Sequence, residues 1–267
     1  YVAGSSLPVF GGNDFPVVRS LPPNGPPTQG FYDGFVSKLA FSSGSLSLAF
    51  STIVRGNGNE QINGIAVDPG GSVYISGITS SNTLPVVNAV AGSGASYRGG
   101  PTDAFAGKIS LNSSNTGLNW NYLTYMGTGG SDVATDVAVD ASGAAYVSGF
   151  TAAAVSGPAF PSTENFLALG RTTEGVEDAS LARLVLNGST LTYAFSSLIG
   201  GAGRDFGFGV DVDSSGAAYL TGTSENSAAA FPTVNAIAPR GSVYAGGATQ
   251  VFAAKITDTP AVVPRIN

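Results

Sequence analysis

Short apolar runs broken by Gly, Ser or Asn fill the chain, and their order repeats. One thirteen-residue segment occurs three times, as Ile65–Gly77 (IAVDPGGSVYISG), Val137–Gly149 (VAVDASGAAYVSG) and Val210–Gly222 (VDVDSSGAAYLTG). Its tail also opens the chain, at Tyr1-Val2-Ala3-Gly4, so the Tyr landmarks Tyr1, Tyr74, Tyr146 and Tyr219 lie 73, 72 and 73 residues apart. An apolar-Pro pair recurs at Phe15-Pro16, Leu84-Pro85, Phe160-Pro161 and Phe231-Pro232. A cation follows each Pro by 22 or 23 residues, at Lys38, Lys108, Arg183 and Lys255. An alternating segment comes next: Leu46-Ser-Leu-Ala-Phe50, Leu118-Asn-Trp-Asn-Tyr122 and Leu191-Thr-Tyr-Ala-Phe195. Landmarks in fixed order across the whole chain identify an internal repeat.

Each period predicts four strands. Strand a is the apolar run ending at Asp68, Asp140 or Asp213; strand b carries the Tyr; strand c carries the Lys or Arg; strand d alternates with period two, as a half-buried strand does. The a–b link is Asp-x-x-Gly, in which Asp bonds its own backbone and Gly accepts a positive φ. Four antiparallel strands per period, stacked by repetition, describe propeller blades. The expected fold is therefore all-β, a β-propeller of four-stranded antiparallel blades with a repeat of about 73 residues and about 3.7 repeats in the chain. We expect one domain over residues 1–267, with units near 1–54, 55–126, 127–199 and 200–267, the first and last incomplete.

The segment GIAVDPGGSVYISGITSS, with LPVVNAV and GGPTDAFAGKISL after it, resembles the SBBP-type β-propeller repeat of secreted bacterial proteins. The resemblance runs from residue 1 to about 257. It implies a seven-bladed propeller and secretion, and implies no single activity. The third repeat departs from the pattern with Ser180 where Phe35, Phe105 and Phe252 stand, and the fourth with Gln250 in place of Asp.

Composition sharpens this picture. There are 38 Gly among 267 residues, and charged residues make up only 10%. An ordinary soluble domain carries about 7% Gly and about 25% charge. Turn-rich β structure accounts for the Gly. The chain has no His and no Cys, which excludes disulfides, thiolate nucleophiles, Cys-ligated zinc and the Ser-His-Asp triad. We find no P-loop and no GxGxxG, GxSxG or SxxK motif. A net charge of −6 speaks against nucleic acid, and no apolar run is long enough for a membrane-spanning helix. No cofactor or metal is expected.

The four cations at one repeat position, Lys38, Lys108, Arg183 and Lys255, have two readings. They form a cationic ring for an anion, or each pairs with a repeat acid and holds blades together. The second is preferred, because a position set by the repeat is usually architectural. Asp33, Asp103 and Asp178, five residues earlier, are candidate partners, and so are Asp68, Asp140 and Asp213. One carboxylate per Asp-x-x-Gly turn is too few for a calcium loop. A third acidic set, Glu60, Asp132 and Asp205, follows Gly-rich turns. Nine of the 17 acids thus occupy repeat positions, leaving few for a dedicated acid/base pair. Glu174, Glu177 and Asp178 read as a solvated acidic loop.

Between each Pro and its cation the length is held while the sequence varies. These stretches carry Arg19, Tyr97, Arg98, Arg171, Arg240 and Tyr244. Fixed framework with variable loops is how repeat folds place binding residues, so Tyr97, Arg98, Arg171, Arg240 and Tyr244 are the candidate ligand-binding residues. No signal peptide is recognised and residue 1 is Tyr, so the chain is expected to be processed, trimmed or partial. Its 3.7 periods suggest part of a longer propeller, a four-bladed unit whose first blade is closed by Tyr1–Ser5, or a gap filled by a neighbour's strand. The expected function is a non-catalytic extracellular or cell-surface module for structure, adhesion or recognition. Its partners would be itself, by strand addition or blade completion, or a surface glycan or protein. The alternatives are a carbohydrate-binding or carbohydrate-cleaving propeller, and the scaffold of a larger secreted protein.

Overall fold

The computed structural model describes residues 1–7, 15–21, 32–152, 158–163, 176–201, 203–225, 231 and 248–257. These contain strands and no helix. In chain order the strands are β1 (Val2–Ser6), β2 (Asp33–Ser42), β3 (Ser45–Val54), β4 (Glu60–Val67), β5 (Val73–Thr79), β6 (Asp103–Leu111) and β7 (Leu118–Met126). There follow β8 (Asp132–Val139), β9 (Ala145–Ala152), β10 (Glu177–Asn187), β11 (Thr190–Ile199), β12 (Asp205–Val212), β13 (Ala218–Glu225) and β14 (Thr249–Ile256).

They form four antiparallel sheets, each a meander: β1-β2-β3, β4-β5-β6-β7, β8-β9-β10-β11 and β12-β13-β14. We name them A to D. The predicted a-b-c-d order is the order in sheets B and C. The described strands of A are b-c-d and those of D are a-b-c.

The repeat fixes local geometry in three places. In the a–b hairpins, Gly71, Gly143 and Gly216 have φ of 84°, 82° and 84°. Their N–H groups donate to the carbonyls of Asp68, Asp140 and Asp213 at 2.9, 3.0 and 2.9 Å. A β-carbon at this φ is strained, so the turn requires Gly. Strand a carries a bulge, because Asn63, Thr135 and Phe208 each have no partner in the a–b register. Strand d carries another opposite Lys38, Lys108 and Arg183, where Ala49, Asn121 and Ala194 are unpaired. Bulges increase twist and re-aim side chains, and the second one interrupts the alternation read from strand d.

The apolar-Pro landmark has a structural role that the sequence left open. Two residues beyond Pro16, Pro85 and Pro161, the backbone returns to the free edge of strand d. Val18 and Ser51 exchange two hydrogen bonds of 2.8 Å, Val87 and Leu123 exchange bonds of 3.1 and 2.9 Å, and Thr163 N–H donates to Ser196 O at 3.0 Å. A short cap of this kind blunts an exposed edge. Arg19 and Asn88, three residues beyond the Pro, take left-handed conformations with φ of 57° and 45°.

The core lies between sheets. A forward face of each sheet packs on the rear face of the next. Val36, Phe50 and Val54 of A meet Ile62, Val73, Ile75, Phe105, Ile109 and Leu118 of B. Tyr74, Ala104, Tyr122 and Met126 of B meet Ala134, Val147, Leu184 and Leu191 of C. Tyr146, Leu181, Phe195 and Ile199 of C meet Val210, Ala218 and Leu220 of D. Each large apolar side chain buried in this way contributes roughly 1.5–3 kcal/mol.

Candidate functional site

Strand pairing gathers the repeat's polar residues at two ends of each sheet. At the hairpin end, Tyr74 lies opposite Lys108 in the b–c register, and Tyr146 and Tyr219 lie opposite Arg183 and Lys255. Each cation sits over the ring beside it: Lys38 on Tyr1 at 5.1 Å, Lys108 on Tyr74 at 4.7 Å, Arg183 on Tyr146 at 5.4 Å and Lys255 on Tyr219 at 4.9 Å. The cation also pairs with the hairpin carboxylate. The distances are 3.5 Å for Lys108–Asp68 and 3.2 Å for both Arg183–Asp140 and Lys255–Asp213. Of the two acidic sets offered as partners, the hairpin set is the one used. Asp33, five residues before Lys38, pairs instead with Arg55 at 3.3 Å.

The Tyr hydroxyl extends this set to the next sheet. Tyr74 Oη lies 3.2 Å from Asp68 Oδ2 and 3.1 Å from the carbonyl of Gly143, in the following hairpin. Tyr146 Oη repeats this with Asp140 Oδ2 at 3.4 Å and Gly216 O at 3.0 Å. Burial pushes the Asp68 carboxyl up, but Ser72, the Tyr74 hydroxyl and Lys108 outweigh it and hold the group below its usual range. The balance is the same at Asp140, where Ser142, the Ala144 N–H and Arg183 prevail over burial.

At the opposite end the acids are buried. Asp33, Glu60, Asp103, Asp132, Asp178 and Asp205 are each 2% exposed or less. Strand c supplies one and strand a of the next sheet supplies its neighbour, across the Gly-rich crossing between sheets. The crossing turns N–H donors toward them: Gly56 to Glu60 at 2.8 Å, Thr128 to Asp132 at 2.8 Å and Gly201 to Asp205 at 2.7 Å. A strand-b hydroxyl adds a bond, from Thr79 to Glu60 at 2.8 Å and from Thr151 to Asp132. Burial raises Glu60 to about 7 against these bonds, with the Asp33 charge pushing the same way. Burial raises Asp103 to about 7, opposed by the Arg98 N–H and reinforced by Asp132. Burial raises Asp132 to about 6 despite Thr128 and Thr151. Asp178 therefore belongs to this buried set and not to a solvated acidic loop. Glu177 is half-buried and paired with Arg204 at 3.1 Å. The repeat places Asp178 where β10 passes under the crossing to sheet D, which its local sequence of acids conceals. Glu174 lies outside the described residues.

Of the candidate ligand-binding residues, Tyr97 and Arg98 are described; Arg171, Arg240 and Tyr244 lie outside the described residues. Arg98 donates Nε to Gly127 O at 2.8 Å, Nη1 to Ser93 O at 3.0 Å and Nη2 to Ala159 O at 3.3 Å. Its backbone N–H donates to Asp103. The side chain thus ties its own loop to the B–C crossing and to the segment beyond β9. Tyr97 donates to Gly100 O at 3.0 Å and packs edge-on against Tyr125 at 6.0 Å. Burial pushes its hydroxyl up to about 12.

Sequence reasoning missed Arg55, the hydroxyls Thr79 and Thr151, and the bulge residues Asn63 and Thr135. Asn63 Nδ2 donates to Ala134 O at 2.8 Å and Thr135 Oγ1 to Gly207 O at 2.8 Å, each in the next sheet. The two hydroxyls had a signal, since each stands two residues after the repeat's Gly77 or Gly149. Among the described residues no group of three or more acidic side chains is placed to hold a metal ion, and no helix is long and apolar enough to cross a membrane. The crossings offer the buried carboxylates donors, which suits holding charge or a proton inside the protein. No family model and no curated protein matches the chain.

Proposed function

We propose that the four sheets are blades of an SBBP-type β-propeller, with the 73-residue repeat as the blade. It serves as a non-catalytic extracellular or cell-surface module for structure or recognition. The observation that carries this reading is the use of the repeat's polar residues. The hydroxyls of Tyr74 and Tyr146 reach the following hairpin. The side chains of Asn63 and Thr135 reach the following strand a. Arg98 holds three backbone carbonyls. A catalytic group must reach a substrate, and these groups are committed to neighbouring sheets.

The low charge and high Gly content suit a surface exposed outside the cell. The test is a glycan array and a cell-adhesion assay with immobilised protein, run beside turnover assays on oligosaccharides. Binding without turnover is the expected result. Turnover that is lost in Glu177→Gln replaces this reading with a carbohydrate-cleaving enzyme.

A further inference from the structure

The three sheet-to-sheet junctions share one pattern, forward face on rear face, and its two halves are left open at the ends of the stack. On the rear of sheet A, Leu46 is 63% exposed, whereas Leu118 and Leu191, at the same register in B and C, are 2% exposed. Leu39 is exposed beside it, where Ile109 and Leu184 are buried. On the forward side of sheet D, Val251 is 82% exposed, whereas Ala104 and Ala179 are 6% and 0%. Tyr219 is 41% exposed, whereas Tyr74 and Tyr146 are fully buried by the next sheet. Phe208, at the bulge position from which Asn63 and Thr135 reach forward, is exposed as well.

These are not scattered surface hydrophobes. Leu39, Leu46, Val251 and Tyr219 each stand at a register position that a neighbouring sheet covers elsewhere in the molecule, and Phe208 lies at the half-open bulge beside them. Within the chain the two faces do not cover each other, since both are exposed. We propose that the forward face of sheet D docks on the rear face of sheet A of a second copy of this chain. Val251, Tyr219 and Phe208 would then meet Leu39 and Leu46. The contact continues the A–B, B–C and C–D junctions across a chain boundary. It is heterologous, with different patches on the two partners, so it yields a ring where the rotation closes and a filament where it does not. The inference rests on the stacking of repeats proposed above but adds the partner and the two faces.

The experiment uses the whole chain and two surface variants, Val251→Glu on sheet D and Leu46→Glu on sheet A. Both sites are solvent-exposed, so each variant is expected to fold, as circular dichroism will check. Light scattering of the unaltered chain should show mass rising with concentration. Each variant alone should lose this association by about 100-fold, because the junction would bury an unpaired carboxylate. The mixture of the two should form a 1:1 complex and stop there. It joins one intact forward face to one intact rear face and leaves only spoiled faces outside. An unaltered chain that stays monomeric to about 100 μM would overturn the proposal. So would association that persists in both variants, or a mixture that fails to pair. None of these outcomes bears on the glycan and turnover assays that decide the functional reading.

Discussion

The two ends of sheets B, C and D carry acidic groups of the same kind and treat them in opposite ways. At the hairpin end Asp68, Asp140 and Asp213 keep part of their surface, lie beside a cation, and are held below their usual range. At the crossing end Glu60, Asp103, Asp132 and Asp205 are buried and raised. The residue type is shared, so the difference comes from solvation and partners. At the hairpin end the hydrogen bonds of the turn, with the cation after them, outweigh burial and favour the charged form. At the crossing end burial favours the neutral form and outweighs the N–H groups and hydroxyls that favour charge.

The sharpest way to break this comparison is to empty a crossing. Asp132→Ala leaves the Thr128 N–H and the Thr151 hydroxyl, both buried, without their acceptor. Leaving buried donors unpaired costs about 1–3 kcal/mol each, so a loss of about 3 kcal/mol in urea unfolding is expected. Asp132→Asn keeps an acceptor and a neutral side chain and should lose much less. Equal losses in the two variants would show that the carboxylate must be charged, against the solvation argument.

The same opposition predicts a pH profile. A crossing carboxyl with a raised native pKa stabilises the fold fully below its unfolded value, near 4, and that contribution is lost as pH rises toward 7. A hairpin carboxyl with a lowered native pKa does the reverse. Its contribution is present above about 4 and is lost as pH falls below that. Stability should therefore peak at about pH 4.5 and fall toward pH 7.5. Self-repulsion from the net charge of −6 acts in the same direction, so thermal melts of Asp132→Asn provide the control. The variant should show a shallower fall between pH 5 and 7.5. A Tm that is flat or rising over that interval removes the crossing groups from the account.

Much of the hairpin end was legible in the sequence because its signals are local. Asp68 and Gly71 are three residues apart, and a type of turn follows from that spacing alone. The cation's partner was only narrowed to two acidic sets, because the choice between Asp103 and Asp68 depends on which end of β6 lies over the hairpin. The crossing end was hidden for a related reason. Its pairs join strand c of one sheet to strand a of the next, and no spacing along the chain announces that Asp178 and Asp205 meet. Their approach is seen at Gly200, where a β-carbon would run into both Asp178 Oδ1 and Asp205 Oδ2. Arg98 was legible as a charged loop residue but not as a clamp, since Gly127 and Ala159 are brought to it only by packing of sheets B and C.

The smallest expected effect separates the interior of the stack from its end. Tyr146→Phe keeps the ring under Arg183 and against Phe195, so the cation–π contact and the packing survive. It removes one hydroxyl proton shared between Asp140 and the carbonyl of Gly216 in the next sheet. The Tyr146 side chain is buried and its two acceptors are partly so, and a net cost of about 1 kcal/mol follows from the lost hydrogen bond. Tyr219→Phe removes the same atom from sheet D. There the hydroxyl reaches Asp213 at 3.0 Å on a partly exposed surface, where water replaces it, so the change should stay within about 0.5 kcal/mol. Urea unfolding of the two variants under dilute, monomeric conditions measures the difference. Equal costs at the two sites would mean that the hydroxyl acts through its own hairpin, and that the bond to the next sheet adds nothing. A larger cost at Tyr146 assigns the Tyr landmark of the repeat to holding successive sheets together.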